Sequence, residues 1–179
     1  MDTIIEEGFT RLTGMIQELG ERRGALEKEI LTDLSGLLAK MATLATPLVG
    51  TLGNQFLEKS KQDAKGELYD TIHYEKMMII IGRADEPASY RPDDLKKSVQ
   101  KQFCVLTEDG KIAELMYSDD GFIIDSHLNI ITPEEALDLY GPELLFMLYR
   151  ALYDFGNLQE DLVKALETTL TFVQEKEEE

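Results

Sequence analysis

FCVLTEDGKIAELMYSDDGFIID, residues 103–125, decides how the chain is read. Two Asp-Gly pairs, Asp109-Gly110 and Asp120-Gly121, divide it into three short apolar runs, FCVLT, IAELMY and FIID. An Asp-Gly pair tolerates the positive φ of a tight hairpin, so the stretch reads as an antiparallel meander. LNII (128–131) is a candidate fourth strand. The dense apolar run in EKMMIIIGRA (75–84), closed by Gly82, reads as a buried strand that joins the same sheet.

Helices are expected downstream. Thr132-Pro133-Glu134-Glu135 carries a capping box with proline at the first helical position, and Gly141 ends that helix. Pro142 opens a second helix with little polar face (Leu144, Leu145, Met147, Leu148, Leu152, Phe155), which Gly156 is expected to stop. Asn157 then starts a third with the stripe Leu158, Leu162, Leu166, Leu170 and Val173. Upstream, Pro87 and Pro92 mark a loop, Pro92-Asp93-Asp94 predicts a short helix over 92–101, and KQDAKGE (61–67) reads as a linker.

Residues 2 to about 65 read as helix. Ile5, Phe9, Leu12, Ile16, Leu19, Leu26, Ile30, Leu34, Leu37, Met41, Leu44 and Leu48 recur three or four residues apart, with one gap at Arg23. Such spacing keeps side chains on one face, and its near-heptad period suits pairing with a second copy. Gly20, Gly24 and Pro47 predict breaks, giving helices near 2–20, 24–45 and 47–64. The fold class is therefore α+β: an N-terminal helical, coiled-coil-like oligomerisation region (1–65), then an α+β domain (66–179) in which a small antiparallel meander packs against C-terminal helices.

The net charge of −17 is unevenly spread, for residues 112–179 hold 16 acids and 3 bases. Such a module repels phosphate backbones and argues against nucleic-acid binding. It would suit a basic protein partner through Glu160, Asp161, Glu167 and Glu175, the expected outer residues of the last helix. The acidic N-terminus lacks a secretory pattern, and the apolar stretch 34–57 is too polar for a membrane span. A cytoplasmic protein is the expectation. One cysteine, Cys104, excludes an internal disulfide and sits within an apolar run.

Motifs for catalysis are sparse. There is no phosphate loop, nucleophile elbow, HExxH or paired cysteine set, and His73 and His127 are the only histidines. Asp125 and His127, with Glu75, are the candidates for an enzyme. Asp119, Asp120 and Asp125 resemble part of a calcium loop, but turn chemistry accounts for the first two. Asp125 and His127 are expected to face solvent, so that alanine at either leaves stability nearly unchanged. Tyr90, Arg91, Lys96, Lys97 and Lys101 form a basic cluster, and Met116, Tyr117 and Tyr149 could line a ligand pocket. The leading reading is a non-enzymatic, self-associating scaffold, adaptor or regulator with no cofactor. A small-molecule sensor and a hydrolytic or metal-dependent enzyme are the alternatives.

Overall fold

The computed structural model describes residues 2–177, and side chains within 3–174. A long helix, α1 (Asp2–Leu52), leads into six strands: β1 (Leu57–Gln62), β2 (Leu68–His73), β3 (Met78–Arg83), β4 (Lys101–Thr107), β5 (Ile112–Asp119) and β6 (Ile123–Ile130). Two helices follow, α2 (Pro133–Tyr140) and α3 (Glu143–Glu177). The strands form one antiparallel sheet in the order β2-β1-β6-β5-β4-β3.

Both Asp-Gly hairpins form as the sequence predicts, with Gly110 at φ 78° and Gly121 at φ 87°. Asp120 Oδ1 accepts from the backbone N–H groups of Phe122 and Ile123, and Asp119 Oδ1 from that of Gly121. FIID and the start of LNII are one continuous strand, β6. The capping box is complete. Thr132 Oγ1 accepts from the Glu135 N–H, Glu135 Oε2 accepts from the Thr132 N–H, and Gly141 ends α2.

The helical expectations need correction in four places. α1 is unbroken through Gly20, Gly24 and Pro47. Proline at 47 deprives the Thr43 carbonyl of its helical donor, but Thr43 and Pro47 face water, where that carbonyl is solvated. The helix also stops at Leu52, short of residue 65. What reads as a helix end and a linker is the β1–β2 hairpin, whose turn is held by Asp63 Oδ1 accepting from the Lys65 and Glu67 N–H groups. Residues 92–101 form no helix; they are turns that deliver side chains to the sheet. α3 passes straight through Gly156, where nothing lies within 4 Å and the glycine costs only about 1 kcal/mol.

Alternation along the strands divides the sheet into two faces. Ile79, Ile81, Cys104, Leu106 and Ile112 pack outward against Leu38, Ala42, Ala45 and Val49 of α1, Ala136 and Leu137 of α2, and Leu144 and Leu148 of α3. Met78, Val105, Ala113 and Leu115 point the other way, with Phe56, Tyr74, Phe103, Tyr117 and Leu128 around them. Asn54, just before β1, exchanges both backbone hydrogen bonds with Met78 at the far edge (2.9 and 3.0 Å), so the sheet curls back on itself around this second cluster. The crossing leaves no room for a side chain at residue 53. A Cβ on Gly53 would stand 2.6 Å from the Val49 carbonyl oxygen and 2.9 Å from Met78 backbone atoms.

Gly53→Ala is therefore expected to lower stability by about 1–3 kcal/mol through overpacking. Gly20→Ala, in open surroundings, is expected to raise it by up to about 1 kcal/mol. Urea unfolding of the two variants checks both signs.

Candidate functional site

Two features of this molecule go beyond what a folded core needs: a pair of uncovered apolar helix faces, and a polar cluster on the outer face of the sheet. The helix faces are the larger of the two. Along α1, Ile5, Phe9, Leu12, Ile16, Leu19, Leu26, Ile30, Leu37, Leu44 and Leu48 are all exposed, from 40 % for Leu48 to 77 % for Leu44. Leu34 and Met41, the other two members of the stripe, are partly buried against the core. At about 100° per residue, Leu37, Leu44 and Leu48 lie about 100° round the helix from the core-facing Leu38, Ala42, Ala45 and Val49. α1 thus has two apolar faces over its second half, one consumed by the sheet and one left open. The open face continues without a turn into the arm, residues 3–30, every one of which is exposed.

α3 repeats the pattern. Leu144, Leu148, Ala151 and Leu152 pack on the core, and the same helix face runs on as Leu158, Leu162, Leu166, Leu170 and Val173, all exposed. Of the four acids expected outside, the three whose side chains are described are there. Asp161 and Glu167 are exposed and Glu160 pairs with Lys164 at 2.8 Å, while the side chain of Glu175 lies outside the described residues.

The polar cluster is built by register. Ser118 pairs with Asp125 and Asp125 with Lys59, so β5, β6 and β1 present these three in one row on the outer face; His127 stands in the next row beside Met116. The segment between β3 and β4 closes over them. Arg91, only 4 % exposed, donates to both Asp93 and Asp125, and Lys97 donates to the second oxygen of Asp125. His127 Nδ1 lies 3.6 Å from Asp93. The Arg91 guanidinium holds the Asp93 carboxyl down at about 2.

Asp125 and His127 are therefore strand residues, not loop residues facing solvent, and Asp125 is an anchor whose removal leaves a buried guanidinium short of a partner. Glu75 does not join them. It lines a cleft on the opposite face with Glu58, Tyr74 and Lys76. Met116 and Tyr117 are adjacent in β5 and point to opposite faces, and Tyr149 stacks on Tyr153 on the exposed side of α3. The basic cluster is divided too: Arg91 and Lys97 are consumed by carboxylates, Tyr90 and Lys101 are exposed, and Lys96 makes no ion pair among the described residues.

Beside the cluster lies a cleft of about 390 Å³ lined by Lys59, Lys96, Lys97, Ser118, Asp119, Asp120 and Asp125. Ser118 Oγ is buried there with no protein hydrogen-bond partner, a feature the sequence did not signal. Elsewhere on the outer face Glu114, 5 % exposed, accepts from Gln102, Asn129 and Tyr140. Cys104 behaves as a small hydrophobe; burial pushes its thiol up to about 12, away from the reactive thiolate. Among the described residues no three His, Cys, Asp or Glu side chains are grouped to hold a metal, and no helix is long and apolar enough to cross a membrane.

Asp125→Ala is expected to cost about 3 kcal/mol, because it breaks a buried ion pair. His127→Ala, which removes one longer contact, is expected to cost under about 1 kcal/mol. Asp93 titrates lower in the folded chain than the ordinary carboxylate near 3.9, so the unfolded chain binds more protons between the two values. Its contribution is complete above about pH 4 and is lost as pH falls through about 2. Urea unfolding at pH 7 ranks the two variants, and a pH series on the wild type and Asp93→Asn shows whether the acid loss follows this carboxyl.

Comparison with known proteins finds no match: no family model fits the chain, and no curated protein or solved structure matches it.

Proposed function

We propose that this is a non-enzymatic scaffold or adaptor that self-associates through the exposed stripe of α1 and displays its sheet domain and acidic α3 to other proteins. The observation that carries the reading is the stripe from Ile5 to Leu48, uncovered along a helix that is continuous with the core. Contiguous apolar surface of this extent marks an interaction face. Burying one such side chain fully contributes about 1.5–3 kcal/mol, so a seam of this length exceeds the roughly 4–15 kcal/mol that association costs. Near-heptad spacing fits a second helix of the same kind.

Light scattering is expected to give at least twice the 20.3 kDa chain mass at micromolar concentration. Leu12→Asp and Leu37→Asp are expected to reduce that mass to one chain. Both side chains are about half exposed in the single chain, so near-ultraviolet circular dichroism of the core should not change. A one-chain mass for the wild type removes the reading.

A second reading, a ligand-sensing domain, is supported by the cleft at Lys59, Lys96 and Ser118, where two ammonium groups and an unpartnered hydroxyl face one space. Asp119, Asp120 and Asp125 line the same cleft but already accept hydrogen bonds within the chain, which leaves these donors for a small anion. Inorganic phosphate should then raise the melting temperature of the wild type and not of the Lys59→Ala/Lys96→Ala variant. An equal response in both removes this reading.

A further inference from the structure

We infer that two copies pair their first helices antiparallel, crossing between Gly24 and Ala25. This rests on the self-association reading and adds its geometry. Seven of the twelve stripe residues of α1, with Arg23, are arranged symmetrically about that point. Ile5 stands as far before it as Leu44 stands after it, and the same holds for Leu12 with Leu37, Leu19 with Ile30, and Arg23 with Leu26. An antiparallel two-fold interface brings each of these residues opposite its counterpart on the second copy, every contact occurring twice. The seven apolar members are all exposed in the single chain. The two remaining arm residues, Phe9 and Ile16, fall opposite Lys40 and Asp33, and the partly buried Met41 and Leu34 stand one residue along.

Charge separates this arrangement from its alternative. In a parallel, in-register pair, Arg23 would face Arg23 of the second copy across the seam, two like charges at close range. The attraction of Arg22 to Glu27 of the second copy, also made twice, would stand beside that repulsion. In the antiparallel pair Arg23 meets Leu26 instead, and Arg23 of the second copy is displaced by about 4.5 Å along the axis rather than directly facing. Its stem covers apolar surface, and its guanidinium stays with Glu27 of its own helix, 3.5 Å away. Arg22 and Glu29 of the second copy then lie about two residues out of step along the flanks of the seam, twice, and flanking charges of this kind set orientation. The arrangement also accounts for Leu37 and Leu44, open beside a well-packed core: the arm of the second copy lies along them. The two sheet domains end up at opposite ends of a seam about 60 Å long.

Nitroxide labels on Glu7→Cys and, separately, on Lys28→Cys test the orientation in the full chain. Cys104 is fully buried and is not labelled. Antiparallel pairing predicts about 50 Å between the two labels at position 7 and under about 30 Å at position 28. Short distances at both positions would overturn the orientation while leaving self-association standing. No dipolar coupling at either position, with a one-chain mass, would overturn both. As a second probe, mixing Leu12→Cys with Leu37→Cys under mild oxidation should give the mixed disulfide in preference to either homodimer; the reverse preference contradicts the inference.

Discussion

α1 is asked to be two things at once. Its second half is a wall of the core, held by Leu38, Ala42, Ala45 and Val49, all at most 3 % exposed. Its first half is exposed throughout the described side chains, yet remains helical through Gly8, Gly14, Gly20 and Gly24, none of which has a neighbour within 4 Å. Isolated helices depend on tertiary packing for most of their stability, and each glycine costs about 1 kcal/mol. A solitary arm of this composition is marginal. The apolar stripe along it supplies the missing term only when something covers it.

The sheet domain can be understood as the body that this arm projects from. Its two faces serve different ends: the inner closes on a small aromatic and aliphatic cluster, and the outer takes the helices at one end and the Arg91 network at the other. That network staples the segment between β3 and β4 across β5 and β6, with every carboxylate answered by a cation. Its electrostatics favour a fixed geometry over reactivity, because Asp125 is already engaged by both Arg91 and Lys97. Among the described side chains, the acidity of residues 112–179 falls largely on exposed helix, away from this cluster, and there it keeps long-range repulsion between like modules alongside any apolar attraction.

Strong local chemistry was legible in the sequence. Asp-Gly turns, the Thr132 capping box and the apolar runs of β3, β4 and β5 each state their structure within a few residues, and each forms as read. β1 and β2 were not legible because they are polar edge and near-edge strands: LEKSKQ has one fully buried side chain, Ser60, and LYDTIH has none. Gly66 with Asp63 was the available signal for their turn, and the surrounding charge masked it. Pro47, Gly20 and Gly156 resemble breaks by local cost alone, but an apolar face runs through each of them and the helices continue. At 92–101 the opposite happened: Arg91, Asp93 and Lys97 are drawn to partners on β6, so a plausible helix start is overridden by contacts 28 to 34 residues away. The same distance hid the role of Asp125, whose partners no local pattern reveals.

Amide hydrogen exchange along residues 5–30, followed over a range of protein concentration, tests the covered arm most directly. Pairing predicts protection that rises with concentration, since association stabilises the helix by mass action. It also predicts that the strands β4 and β5 exchange slowly at every concentration. Fast exchange of residues 5–30 that does not change with concentration would mean that the arm has no second copy to lie against, and would contradict the account.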